Sequence, residues 1–387
     1  MARNSRSAWL SVARFARQQQ AGWGSDSKLR LDRSDVLIRI SAPVTTPQKP
    51  SARATAHDVA ARAGVSQPTV SQVLSGNPKA RVSAVTRTRV LRAAEELGYR
   101  PNVLAQGLVR RRSFALGVVV PDLANPFFAA VVSGAEKVAA KAGYAVFLCE
   151  AGETSAEDHL DALKSRQIDG VILDAVGAAA LTPEALSGIN VVLVDEALEH
   201  YPGIVSDAER AGEEAARHLL SLGHRRLAFI GPAVDASAFR LRERGFTRTL
   251  RAAGVTLESP CLRRASATVA GGMRGMRELL AVRPRPTAVF CANDLVALGA
   301  LKACARARVA VPGDVSVVGC DDIELAQLVT PELTTIAIPA RELGARAARL
   351  LIRELSGEAV AAGGQQGRPL PVRLVPRGTT APAPEGA

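Results

Sequence analysis

The sequence predicts a small all-α domain near the amino end, followed by a two-lobed α/β region with parallel sheets. Three observations support this. Residues 54–101 place apolar side chains at helical spacing between close glycine and proline stops, which allows only short helices. From residue 114 onward, continuous apolar runs alternate with amphipathic helical stretches, the signature of repeated β–α units. The charge divides at the same point: residues 1–113 hold 20 Lys+Arg against 6 Asp+Glu, and residues 114–387 hold 29 against 31. The whole net charge of +12 therefore lies in the first third. That asymmetry predicts that one part of the chain meets a polyanion and the rest does not.

Residues 1–53 have no clear period and include Gln18-Gln19-Gln20 among scattered arginines. They are expected to be a disordered basic extension, although arginine-rich, acid-poor beginnings also resemble transit peptides. Thr55 is placed to cap a first helix that buries Val59, Ala60 and Ala63, and Gly64 ends it. Ser66 caps a second helix, with Pro68 in its first turn and Val70, Val73 and Leu74 inward. Gly76-Asn77-Pro78 closes it. A third helix is expected from about Ser83 to Leu97, with Val90, Leu91, Ala94 and Leu97 inward, stopped by Gly98. Two short helices around a glycine turn form a helix-turn-helix, so residues 54–101 are read as a DNA-binding domain and 102–112 as a linker.

Phe114–Val120 reads as a buried parallel strand. Strands are also expected at 144–149, 169–174, 190–194, 226–230, 287–291, 315–319 and near 372–375. Helices are expected at 127–142, 156–166, 208–222, 239–253, 272–281, 294–307 and 341–354. This is more chain than one sheet usually needs, so residues 113–380 are read as two lobes and 381–387 as a disordered tail. Cores must use aliphatic residues, because aromatics make up only 4%. Five cysteines with no CxxC spacing argue for packing rather than disulfides or metal. No apolar run reaches bilayer length, and no secretory signal is present, so a cytoplasmic protein is expected.

A helix-turn-helix presents the start of its second helix to base edges in the major groove. Here that places Gln67, Thr69, Ser71 and Gln72 as base readers, since Gln pairs with adenine and Ser or Thr with several bases. Ser66, Asn77, Arg81, Arg87 and Arg89 suit phosphates, which fix register. No catalytic reading survives. The five histidines are scattered without metal spacing, no GxGxxG follows a strand, and Asp321-Asp322 reads as a turn rather than an acid/base pair. No cofactor is expected.

Thr55–Leu74 resembles the lactose-repressor (LacI/GalR) family at nearly every fixed position of its helix-turn-helix pattern. The similarity continues through Leu97–Asn102, Val119–Asp122, Asn125–Phe128, Ala292–Asp294, Pro312–Asp322 and Leu333–Ile336. The resemblance implies that Asn102–Arg110 is a hinge helix that folds when two subunits meet on an operator. Asn102 and Ala105 would contact DNA, and Leu108 would wedge into the minor groove. It also implies a sensor like periplasmic sugar-binding proteins, with a ligand between two lobes. Arg242, Asn293 and Asp321 would clamp that ligand, and Asn125, Phe127 and Asp195 would line the cleft from the first lobe. Residues alone leave alternatives: Arg242 as a surface cation beside Arg240 and Arg244, Asn293 as a helix cap, Asp321 as a turn residue.

Three positions depart from the family pattern. Gln72 stands where Arg is common, which removes a bidentate guanine reader. Gln106 stands where the hinge commonly has Arg. Ala267–Gly272 lacks the aromatic that many members place over the ligand. The resemblance implies a homodimeric regulator, expected to be a repressor, on a pseudo-palindromic operator, controlled allosterically by a sugar or sugar phosphate. A purine-responsive regulator is the nearer alternative. A transporter's solute-binding protein would share the sensor fold, but it predicts a signal peptide and no helix-turn-helix.

Overall fold

A computed structural model describes residues 54–74, 82–100, 112–151, 155–174, 181–196, 198–361 and 363–384. The expectations for the 1–53 extension, the 102–112 linker, Asn77, Arg81, Asn102, Ala105, Gln106 and Leu108 fall outside these residues or, for residue 112, at their edge. The chain divides after Arg100 into two compact units.

In the amino-terminal unit, α1 (Ala56–Ala63) begins with a reciprocal cap. The Thr55 hydroxyl accepts from Asp58 N at 3.3 Å, and the Asp58 carboxylate accepts from Thr55 N at 2.7 Å. Gly64 ends the helix at φ 62°, in the left-handed region that favours glycine. α2 (Gln67–Leu74) and α3 (Ala84–Glu96) follow, and the Ser83 hydroxyl caps α3 by accepting from Thr86 N at 3.2 Å. Val59, Ala60, Ala63, Val70, Val73, Val90, Ala93 and Ala94 form the core. One expectation is corrected here. Leu91 and Leu97 are 49% and 37% exposed, and Ala93 is buried instead. The buried stripe runs through Val90, Ala93 and Ala94, whose small side chains let three short helices approach; Leu91 lies a further 100° round the helix.

The second unit alternates strand and helix throughout. In chain order its first part holds β1 (Ala115–Val120), α4 (Pro126–Lys141), β2 (Ala145–Glu150), α5 (Ala156–Ser165), β3 (Gly170–Asp174), α6 (Pro183–Leu186), β4 (Asn190–Val194) and β5 (Pro202–Ile204). Next come α7 (Ala208–Ser221), β6 (Leu227–Pro232), α8 (Ser237–Ala252), β7 (Leu262–Ala265), α9 (Val269–Ala281), β8 (Ala288–Cys291), α10 (Asp294–Ala307), β9 (Ser316–Asp321), α11 (Leu325–Leu328) and β10 (Thr334–Ala337). The chain closes with α12 (Ala340–Leu355), β11 (Gly364–Gln365) and β12 (Arg373–Val375).

Two six-stranded sheets result, ordered β11-β5-β4-β3-β1-β2 and β12-β10-β9-β8-β6-β7. The pairings are parallel except for β12, which runs antiparallel to β10 at an edge. β1 and β3 are buried along their whole length, as expected of strands covered by helices on both faces. The chain passes between lobes after β5, after β10 and after β11, so three segments join them. The short elements β5, β7, β10, β11, α6 and α11 were not expected from the sequence.

Each helix pair that packs tightly does so through reciprocal glycines. A Cβ at Gly134 of α4 would overlap the Arg341 carbonyl oxygen, and one at Gly344 of α12 would overlap that of Val131. The same reciprocity joins Gly212 of α7 with Gly245 of α8, and Gly272 of α9 with Gly299 of α10. Backbones in contact at these crossings fix how the helices lie on each sheet.

The carboxyl-terminal tail, expected to be disordered from 381, is hydrogen-bonded through Ala383. Ala381 N donates to Ser316 Oγ at 3.1 Å, and Ala383 N donates to Leu222 O at 2.8 Å. Among the described residues no helix is long and apolar enough to cross a membrane. Cys291, Cys304 and Cys320 are buried as packing residues, and Cys149 and Cys261 are half-buried.

Candidate functional site

In parallel α/β sheets, ligands gather beyond the carboxyl ends of the strands, where the strand order reverses. Here both lobes present those ends to one cavity of about 200 Å³. Asp122 follows β1, Asp174 ends β3, Asp195 follows β4, Ala267 follows β7, Asn293 follows β8 and Asp321 ends β9, and all line it. Asn125, Phe127 and Arg242 complete the six positions expected from the sequence, so all six converge. Asp122, Asp174, Phe128, Phe239 and Thr268 are further lining residues that the sequence reading did not single out.

Arg242 is the centre of the second-lobe wall. It is 2% exposed, whereas its helix neighbours Arg240 and Arg244 point to solvent and pair with Asp235 and Glu209. Its Nη1 donates to Ala292 O at 2.7 Å and lies 3.3 Å from Asp321 Oδ1. Its guanidinium carbon sits 5.3 Å from the Phe239 ring centroid, and its Nε is buried without a partner among the described residues. Burial works against the charged guanidinium, but the titratable neighbours Cys320, Asp321, Asp195 and Asp294 hold its pKa above the usual value. Burial raises the Asp321 carboxyl well above the ordinary range, and Arg242 opposes that rise. Asp321 sits at φ 126° and Asp322 at φ 55°, so the loop leaving β9 holds two non-glycine residues at positive φ.

Asp294 anchors that loop from beneath. It is fully buried, accepts from Ile323 N at 2.9 Å through Oδ2, and accepts from Thr335 Oγ1 at 2.5 Å through Oδ1. Burial pushes its carboxyl up to about 6, against the lowering effect of those two hydrogen bonds. Asn293 combines two roles that the sequence left as alternatives. Its Oδ1 caps α10 by accepting from Val296 N at 2.9 Å, its Nδ2 donates to Ala267 O at 3.3 Å, and it still lines the cavity. Asn125 likewise caps α4, accepting from Phe127 N at 3.1 Å. Asp195 accepts from Ser206 N at 2.8 Å and Ser206 Oγ at 2.7 Å.

One contact bridges the lobes beside the cavity. α8 has no side-chain cap of its own. Glu196, which follows β4 in the first lobe, accepts from Ser237 N at 3.3 Å and from the Ser237 hydroxyl. A carboxylate at a helix amino terminus is favoured by the exposed N–H groups there, so one lobe supplies the other's cap.

On α2, Gln67, Ser71 and Gln72 are exposed, as base contacts require. Thr69 is half-buried, and its hydroxyl lies 2.9 Å from that of Ser66, so these two brace the helix start. Among the described residues no group of three or more His, Cys, Asp or Glu is placed to hold a metal.

Comparison with known proteins agrees with this geometry. Residues 55–102 match the family described as "Bacterial regulatory proteins, lacI family", and residues 216–380 match the "Periplasmic binding protein-like domain". The HTH-type transcriptional repressor CytR of Escherichia coli (strain K12) is 34% identical over 343 residues, covering 87% of this chain and 99% of CytR. The lac repressor dimer bound to operator and the anti-inducer ONPF superposes with a TM-score of 0.75 at 30% identity, covering 85% of this chain and all of that one. A LacI family regulator from Enterococcus faecium with bound ribose gives a TM-score of 0.63 at 30% identity, covering 70% of this chain and all of that one. With its helix-turn-helix unit and two-lobed sensor, the chain belongs to the lacI family of DNA-binding, effector-controlled bacterial transcription regulators.

Proposed function

We propose that this protein is a repressor that binds a pseudo-palindromic operator as a homodimer and is controlled by a neutral sugar in the interlobe cleft. The convergence of Asn125, Phe127, Asp195, Arg242, Asn293 and Asp321 on one cavity carries the reading. Carboxylates and a guanidinium accept and donate to hydroxyls, while Phe127, Phe128 and Phe239 supply apolar surface for the C–H faces of a ring. The relative with bound ribose supports the same class of ligand. A phosphorylated sugar fits less well. Asp122, Asp174 and Asp195 face the cavity beside an arginine that is already paired with Asp321, so a dianion would enter a negative field.

In this reading residues 54–101 dock on DNA through Ser66, Gln67, Thr69, Ser71 and Gln72, with Asn77 and Arg81 on the backbone. Residues 102–112 act as hinge, with Asn102 and Ala105 at the DNA and Leu108 as the wedge. Residues 113–380 sense the effector, and movement of one lobe against the other is transmitted to the hinge. Calorimetry of the full chain against monosaccharide and purine panels tests the ligand class. Saturable binding of a monosaccharide that Asp321→Ala abolishes is expected. Binding of a purine alone would replace the sugar with a nucleobase.

A further inference from the structure

We propose that Arg226, Arg283 and Arg285 form a second ligand site, for a phosphate-bearing small molecule, at the end of the second lobe opposite the cleft. β6 starts at Leu227, β8 at Ala288 and β9 at Ser316, so these arginines lie at the amino-terminal edge of that sheet. With Thr287, Asp314 and Pro384 they line a concavity of about 380 Å³.

Arg226 and Arg283 are held in place by backbone rather than by carboxylates. Arg226 Nε donates to Arg285 O at 3.1 Å, and Arg283 Nη1 donates to Leu280 O and Val282 O, each at 2.9 Å. Among the described residues none of the three makes an ion pair. On α7 and α8 of the same lobe the opposite holds: Arg210, Arg217, Arg244 and Arg248 each pair with a glutamate. The single carboxylate in the concavity, Asp314, is engaged by Ala310 N, which donates to Oδ2 at 2.7 Å. Three guanidinium groups against one carboxylate leave a local excess of two positive charges, in a region whose overall charge is slightly negative. A phosphate monoester dianion matches that excess, and its oxygens match guanidinium forks. Thr287 is buried at the floor, with its hydroxyl 3.0 Å from His224 Nδ1. His224 Nε2 in turn lies 3.0 Å from Ala381 O, so the site is wired to the carboxyl-terminal segment.

The test is calorimetric titration of the full chain with inorganic pyrophosphate at constant ionic strength, comparing wild type with Arg283→Gln/Arg285→Gln. The basic amino-terminal unit is common to both proteins, so the difference isolates this concavity. Saturable binding that weakens by about tenfold or more in the variant is expected, with monosaccharide binding and the melting transition unchanged. Equal affinity in both proteins overturns the proposal, as does sulfate binding as tightly as pyrophosphate. If the double variant does not fold, Arg285→Lys keeps the charge and loses the fork; unchanged pyrophosphate affinity there also overturns it. Loss of the cleft ligand alone would leave this site standing, because the two share no lining residue.

Discussion

Replacing Gly212 with alanine separates helix propensity from packing. In an open helix the change stabilises by about 1 kcal/mol, because alanine orders more readily than glycine. At this crossing the new methyl would overlap the Arg242 carbonyl oxygen, and it would lie 2.6 Å from Phe246 N and 2.9 Å from Arg242 C. These are backbone atoms, so no side chain can swing aside, and α7 and α8 must move apart. Overpacking of this kind costs up to about 3 kcal/mol, leaving a net loss of roughly 2 kcal/mol. For a unit of this size that lowers the melting temperature by about 4–8 °C. α8 also carries Arg242, so displacing it should weaken the cleft ligand. Gly344→Ala on α12 meets the Val131 carbonyl instead and lies on the helix pair remote from Arg242. It should cost similar stability, and because α4 carries Phe127 it should weaken the cleft ligand from the first-lobe side. Circular dichroism melts and ligand titrations of both variants are the assay. A higher melting temperature for either variant, or unchanged ligand affinity in Gly212→Ala despite a lowered melting temperature, would refute the reasoning.

Three further outcomes are expected. Asp294 is more readily protonated in the fold, at about 6, than at its ordinary 3.8, so its ionisation disfavours the folded state above that window. Stability attributable to it falls as pH rises from about 4 to 7, by about 3 kcal/mol; Asp294→Asn should therefore gain on wild type across that range in urea titrations, and parallel profiles would contradict this. Asp321→Ala should keep operator affinity and lose the effector response, and a normal response would place the ligand elsewhere. Leu108→Ala should lose operator affinity while retaining effector binding, and unchanged gel-shift affinity would remove the wedge.

Much of this was legible because local and global signals coincide. The run Asn190–Val194 is one strand, buried from Val191 onward, and Asn293 caps the helix at the expected residue. β10 has no continuous apolar run in the sequence, because two of its four residues, Thr334 and Thr335, are polar. They are fully buried, their hydroxyls satisfied by Thr380 and Asp294, partners far away in sequence. β7 is an edge strand, Leu-Arg-Arg-Ala, with little to bury. Asp174 was hidden at the end of an apolar strand, and only the rule that strand ends line the cleft would have found it. Spacing could not separate Arg242 from Arg240 and Arg244, because the distinction lies in the Ala292 carbonyl and Asp321 waiting in the fold. Leu91 was misplaced by one position on a helix whose stripe is mostly alanine.

The most direct measurement of the central claim is fluorescence anisotropy of the full chain on a duplex selected from random DNA, titrated with the monosaccharide that binds the cleft. A marked preference over a scrambled duplex at moderate ionic strength is predicted. The sugar should shift that affinity by about 5- to 150-fold, the range of a coupling between two sites. Equal binding to both duplexes, or an operator affinity indifferent to a sugar that demonstrably occupies the cleft, would contradict it.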